Sequence, residues 1–251
     1  GLILNILVKL AFDGTNYHGT QIQENANTVF RVFQEALIGF LGHKTDIKGC
    51  SRLDSGVHAK SFYLSFKTDK DINIAKLPLA LNVRLPEDIK VMSAQFVPDD
   101  FHARYSSKGK EYTYYIWNSH IDDPFNSKYY YRYPKKLDVE KMNIAAGYFV
   151  GRHDFRSFMR SNSKITDCRR QVYSAKVERR GDMVKFIVSA DGYLYNMVRI
   201  MAGTLIKIGG TAARPELVKD IITAENRAAA GVTAPAKGLF LTDVFYDFNE
   251  L

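Results

Sequence analysis

Ser174-Ala175-Lys176-Val177-Glu178, then Arg179-Arg180-Gly181-Asp182, then Met183-Val184-Lys185-Phe186-Ile187-Val188-Ser189 is the stretch that decides the fold class. Two β-rich runs flank a short polar segment containing Gly, which is the pattern of a hairpin, and hairpin strands pair antiparallel. Elsewhere strand-like and helix-like segments alternate, a pattern that also suits a doubly wound parallel sheet. The hairpin moves the expectation to an α+β fold.

Working outward, residues 194–208 form an apolar run with helical spacing that Gly209-Gly210 would end, and 215–223 read as a further helix. Upstream, 138–150 have helical spacing with Asp138 at the expected cap, and 110–117 form an aromatic-rich strand. The first part of the chain repeats the theme. Residues 4–12 are β-rich and close on Asp13-Gly14. Thr28 then caps a helix whose Val29, Val32, Phe33, Ala36, Leu37, Phe40 and Leu41 share one face, with Gly42 as its stop. After a loop at 49–57, Phe62, Leu64 and Phe66 alternate with Ser61, Tyr63 and Ser65. A short helix at 75–81 and a strand at 89–96 complete this half. The boundary is expected within 101–110, giving an N-terminal domain at 1–103 and a C-terminal domain at 104–251.

Thirty-five Lys plus Arg against 27 Asp plus Glu leave a net charge of +8. This balance favours a polyanionic partner, since Lys and Arg release counterions when they neutralise phosphates. The two cysteines, Cys50 and Cys168, form no CxxC or Cys/His ligand spacing, so neither a structural zinc nor a disulfide framework is expected; reduced thiols suit a cytoplasmic location. Residues 2–11 are apolar but interrupted by Asn5 and Lys9, and read as a strand, not a signal peptide. No run approaches 18 apolar residues, so no membrane partner is expected.

Chemistry concentrates in Arg52-Leu53-Asp54-Ser55-Gly56-Val57-His58-Ala59, where a carboxylate sits in a loop leading into a hydrophobic strand. Gly56 permits positive φ or close backbone approach. The same pattern suits an ordinary loop with an Asx-turn at Asp54, and His58 alone reads as a structural histidine. Asp13-Gly14-Thr15-Asn16-Tyr17-His18-Gly19 offers backbone and side-chain donors for phosphate, or is simply a tight connection; it lacks the Gly-Lys-Ser/Thr element of a P-loop. Phe101-His102-Ala103-Arg104-Tyr105 precedes Tyr112, Tyr114, Tyr115 and Trp117, an interleaving of basic and aromatic groups that suits RNA bases as well as a core. Tyr114 and Ile116 share one face of that strand. The pattern leaves Tyr112 open, grouped with Tyr115 and Trp117 if the strand bulges. Arg199 opens an apolar helix and needs a carboxylate partner, for which Asp54 is a candidate. Lys164, Arg169, Arg170, Lys176, Arg179 and Arg180 could together form a phosphate-binding stripe.

In their order along the chain, these segments resemble the tRNA pseudouridine synthase A family. The carriers are Asp13-Gly14-Thr15-Asn16-Tyr17-His18-Gly19 with Gln21-Ile22-Gln23, Ser51 to Ala59, and Phe101-His102-Ala103-Arg104. Gly151-Arg152-His153-Asp154-Phe155, Tyr195-Asn196-Met197-Val198-Arg199 and Ala234-Pro235-Ala236-Lys237-Gly238-Leu239 complete the set. The resemblance spans nearly the whole chain. It implies two ferredoxin-like halves with joined antiparallel sheets and a central active-site cleft, a homodimer, tRNA as partner, and chemistry without metal or cofactor. It further implies Asp54 as nucleophile or proton-abstracting carboxylate, Arg52 holding or replacing the flipped nucleotide, Tyr112 stacking on uracil, and Arg199 pairing with Asp54 to keep it ionised. Asn16, His18, Arg104, Lys164 and Arg169 are expected on the substrate side, and the target uridines in the anticodon stem-loop, at positions 38–40. The chain departs from the pattern at Thr20, Phe30, Arg31, Ser51, Leu53 and Ser55, near the RNA-facing loops, as a paralogue with different targets would. A non-catalytic RNA-binding or RNA-chaperone protein on the same fold is the competing expectation; a metabolic enzyme with a phosphorylated substrate lacks a cofactor fingerprint.

Overall fold

The computed structural model describes residues 2–248. The chain divides into two compact units, one formed by residues up to 108 together with those from 241 onward, the other by 109–240.

The first unit runs β1 (Leu4–Phe12), α1 (Val29–Leu41), β2 (Ile47–Gly49), β3 (His58–Thr68), α2 (Leu77–Asn82) and β4 (Ile89–Val97). β1 pairs antiparallel with both β3 and β4, and β2 pairs antiparallel with β3. The resulting order β4-β1-β3-β2 is that of a ferredoxin-like βαββαβ unit. β1 is central, so its residues are almost continuously buried instead of alternating. The helix α1 begins where expected. Thr28 is extended and its hydroxyl accepts from the Arg31 N–H at 3.3 Å, while Gly42, at φ 79°, ends the helix. Its buried Phe30 and Phe33 pack toward the sheet, and the Phe30 ring meets Phe62 edge-on at 6.0 Å. Burying each such ring contributes about 1.5–3 kcal/mol. Sequence periodicity missed β2, whose three residues are too few to show a period.

The second unit runs β5 (Gly109–Trp117), β6 (Tyr131–Arg132), α3 (Val139–Gly147), β7 (Gly151–Asp154), β8 (Arg169–Arg180), β9 (Met183–Ala190), α4 (Met197–Gly210) and α5 (Leu217–Ala224). Its sheet order is β5-β9-β8-β7, antiparallel throughout this path, with β6 added parallel to β5. The expected hairpin is present as β8–β9. Arg180 pairs with Met183 across a two-residue Gly181-Asp182 loop, and Gly181 takes φ 61°. Phe149, Phe155, Phe158 and Phe186 cluster beneath the sheet. β10 (Leu239–Phe245) closes the chain, and its residues from 241 onward lie in the first unit.

Two expectations need correction. Asn196 adopts φ 62°, so α4 starts at Met197 and not at 194. Gly209-Gly210 do not stop that helix but form its last two residues. They are small because a Cβ on Gly209 would meet the Met142 thioether at 2.5 Å, and one on Gly210 would overlap the Tyr133 hydroxyl. On β5 the pairing with β9 runs without a register shift, so Tyr112 shares a face with Tyr114 and Ile116, while Tyr115 and Trp117 lie on the other.

Candidate active site

Asp54 sits in the loop that enters β3. Leu53 and Val57 are buried on either side of it, so the exposed Asp54 projects from an anchored segment. The Val57 N–H donates to the Asp54 carbonyl at 3.1 Å, closing a four-residue turn with main chain. Gly56 holds φ 81° at the third position of that turn, where positive φ selects glycine.

The 13–19 loop packs directly on this turn. A Cβ on Gly14 would overlap the Val57 carbonyl, so only glycine allows the approach. The Gly14 N–H donates to His58 Nδ1 at 2.9 Å, and Gly56 N–H donates to the Tyr17 carbonyl at 3.2 Å. His58 is fully buried. Asp13 Oδ1 also lies 3.3 Å from His58 Nδ1, but a nitrogen that accepts from Gly14 has no proton there to give. The Gly14 contact is the shorter of the two, and His58 is a structural group joining the two loops. Asp13 itself accepts from the Thr15 amide at 2.9 Å and from its hydroxyl. Tyr17 donates its hydroxyl to Asp88 at 2.6 Å, and burial first, then that bond, raises its pKa well above the ordinary phenol value. With His18 N–H donating to the Asn27 carbonyl and Tyr17 N–H to Gly14, the loop's amides serve the fold. These bonds fit the tight connection, one of the two readings the sequence left open for this loop. The side chains of Asn16 and His18 are exposed, and Ser55 Oγ lies 3.3 Å from His18 Nδ1.

Arg52 is exposed two residues before Asp54, and Arg104 is also exposed in the first unit. The 101–106 turn that presents Arg104 is built on His102. Its Nδ1 accepts from the Arg104 amide at 3.0 Å and the Tyr105 amide at 3.3 Å. Burial, then Lys48 and Arg104, lowers the His102 pKa and favours the neutral ring these bonds require. Ala103 is buried, with its N–H on Ser65 Oγ at 3.2 Å, and the Arg104 guanidinium lies 5.6 Å from the Tyr105 ring centre.

Tyr112 and Arg199 belong to the second unit. Tyr112 is 6% exposed, with its ring 4.7 Å from Tyr193 in an edge contact. Tyr193 donates its hydroxyl to the Lys110 carbonyl at 2.7 Å, which fixes the ring that Tyr112 leans on. Arg199, half-buried on the first turn of α4, donates Nε to the Ala234 carbonyl at 2.8 Å and Nη1 to Asn196 Oδ1 at 3.3 Å. Asn196 thus breaks the helix with its backbone and orients Arg199 with its side chain. The sequence carried a signal for this, an Asn before an apolar helix, because Asn tolerates left-handed backbone.

Of the basic residues, Arg169, Arg170, Lys176, Arg179 and Arg180 lie along β8. Arg169 and Arg180 stand at opposite ends of β8, about 36 Å apart at strand rise. Arg179 donates Nη2 to Asn118 Oδ1 at 2.7 Å and to the Leu137 carbonyl at 3.3 Å, and Arg170 donates Nη1 to the carbonyls of Asp167 and Arg169. Lys164 and Arg169 are exposed. Beside them Arg156 clamps Asp154 at 2.7 to 3.1 Å, which holds the Asp154 carboxyl below its ordinary pKa. Among the described residues no group of three or more His, Cys, Asp or Glu could hold a metal ion, and no helix is long and apolar enough to cross a membrane.

A sequence profile described as tRNA pseudouridine synthase matches residues 10–106 and 145–247. Curated relatives agree. A tRNA pseudouridine synthase A of Thermoanaerobacter sp. strain X514 is 43% identical over 96% of this chain and 99% of its own length. A tRNA pseudouridine synthase A 2 of Clostridium perfringens is 41% identical over the same shares. A tRNA pseudouridine synthase A of Bacillus pumilus is 40% identical over 97% of this chain and all of its own length.

Proposed function

We infer that the chain, which belongs to the tRNA pseudouridine synthase family, isomerises uridine to pseudouridine in tRNA with Asp54 as its nucleophile. The observation that carries this reading is the presentation of Asp54: an exposed carboxylate on a main-chain turn whose neighbours are buried. A short side chain on a fixed backbone meets the positional demand of attack on a single carbon. The reaction breaks the N1–C1′ bond, turns the base and forms a C5–C1′ bond, with the C5 proton leaving and N1 gaining one. Substrate and product are isomers, so no net oxidant or group donor is required. Asp54 starts the cleavage as nucleophile or proton-abstracting base. Arg52 takes the place of, or holds, the extruded nucleotide, whose unstacking costs a few kcal/mol. Tyr112 stacks on the uracil, and Arg199 is the cation assigned to the reacting carboxylate. Asn16, His18, Arg104, Lys164 and Arg169 contact the RNA. The anticodon stem-loop, at positions 38–40, is the proposed target, with a homodimer in the cytoplasm as the working form.

Pseudouridine formation on unmodified tRNA transcripts tests the assignment. The parent is expected to convert uridine and Asp54→Ala to give no product while still binding the transcript. Product from Asp54→Ala would remove the nucleophile assignment. No product from a parent that binds tRNA would favour a binding role.

A further inference from the structure

We propose that Thr20 is a positioning residue for Asp54, acting through Leu53; the proposal rests on the reading of Asp54 as nucleophile. Thr20 is completely buried. Its Oγ1 accepts from the Leu53 N–H at 3.1 Å, and its own N–H donates to the Leu53 carbonyl at 3.3 Å. Both polar main-chain groups of Leu53 are therefore held by one residue. Thr20 is in turn held by α1, since its carbonyl accepts from the Phe30 N–H at 3.0 Å. Gly19, at φ 78°, comes so close that a Cβ there would stand 2.5 Å from the Leu53 carbonyl oxygen.

The consequence reaches Asp54 through covalent geometry. The Leu53 carbonyl and the Asp54 N–H share one planar peptide, so fixing the carbonyl fixes the plane that carries the Asp54 Cα. The aspartate side chain has only two rotatable bonds beyond that point, so its carboxylate follows the backbone. Leu53 N–H is buried, and without the Thr20 hydroxyl it loses an acceptor that water does not readily replace. The expected relaxation is a shift of the Asp54 turn, whose other end stays tied at Gly56 to Tyr17. The Leu53 N–H belongs to the Arg52–Leu53 peptide, so the loosening reaches Arg52 directly and Asp54 through the Leu53 Cα, while the Thr20 N–H bond to the Leu53 carbonyl remains.

Single-turnover pseudouridine formation on an unmodified tRNA transcript, with enzyme in excess, separates placement from binding. Thr20→Val keeps the shape and removes the acceptor; it is expected to slow the reaction about 10- to 100-fold with the transcript Kd changed less than about twofold. Thr20→Ser retains a hydroxyl and is expected to recover most of the parental rate. A Thr20→Val rate equal to the parent's overturns the proposal, as does equal slowing by both substitutions. Should Thr20→Val fail to fold, amide hydrogen exchange at Leu53 in the parent decides instead: slow exchange supports the clamp and fast exchange overturns it. Asp54→Ala is assayed alongside. Activity there would remove the nucleophile reading itself, whereas an inactive Asp54→Ala beside a fully active Thr20→Val removes only the role of Thr20.

Discussion

The Asp54 turn of the first unit and the Arg199 turn of the second hold their charged groups by opposite means. Asp54 is placed by its backbone: Val57 N–H on its own carbonyl, Gly56 on Tyr17, and Leu53 on Thr20. Arg199 is placed by its side chain, through Nε on Ala234 and Nη1 on Asn196. The difference follows from side-chain length. Aspartate has little reach, so the main chain must deliver it. Arginine carries about 2 kcal/mol of rotamer entropy, so its guanidinium must be tied down directly even when its helix is rigid. Disturbing backbone packing should therefore harm the first site most, and disturbing one side-chain acceptor should harm the second.

Gly14→Ala is the strongest way to break the contrast. Its Cβ, fixed on the backbone, would overlap the Val57 main-chain carbonyl, and neither loop can yield without moving the turn that carries Asp54. The expected cost is about 1–3 kcal/mol of stability in urea titration. Turnover should fall about 100-fold or more, as misplacement near 1 Å does. Parental turnover would show that the two loops do not position the carboxylate.

Asn196 separates the two means within one residue. Asn196→Gly keeps the left-handed backbone and loses the Arg199 contact, whereas Asn196→Ala loses both. Each should slow turnover about tenfold, the equivalent of about 1.4 kcal/mol for one charge-assisted hydrogen bond. Only Asn196→Ala should show the further loss of about 1 kcal/mol in stability that belongs to left-handed strain. Equal stability of the two variants would mean that the φ of 62° carries no strain there.

The same contrast explains what was legible in the sequence. The helix α1 announced itself through Thr28, Gly42 and the Val29–Leu41 periodicity, and the β8–β9 hairpin through its two β-rich runs, because those signals are local. The Asp54 loop was legible as a motif, with Gly56 at the turn position that needs it. Its support was not legible: Thr20 and Leu53 are 33 residues apart, and a hydroxyl accepting a main-chain N–H leaves no periodic trace. Arg179 read as one of a basic stripe because only the fold brings Asn118, 61 residues away, to its guanidinium. Tyr112 stayed open because sequence cannot exclude a bulge in β5. Gly209 and Gly210 read as a helix stop, since a missing side chain looks the same whether it ends a helix or admits Met142 and Tyr133.

The smallest expected effect concerns pH, and it sets a ring that holds backbone against a carboxylate that holds a side chain. His102 accepts two main-chain N–H groups at Nδ1, and its pKa is lowered by burial, then by Lys48 and Arg104. The unfolded chain takes up that proton at about pH 6.5, whereas the folded chain resists it to lower pH. The unfolded state therefore binds more protons below about 6.5, and stability from this group is lost as pH falls from there through the folded pKa. Asp154 is lowered by its Arg156 bond, so its contribution persists above about pH 3.9 and is lost only as pH falls through the lower folded value. Urea titrations across pH should then show two separate windows. The difference between parent and His102→Asn should shrink on acidification from about pH 6.5, where Asp154→Asn still differs from the parent by a constant amount. The Asp154→Asn difference should close only in stronger acid. If both differences change in the same window, the 101–106 turn is not held by a neutral histidine, and backbone placement in the first unit has lost one of its supports.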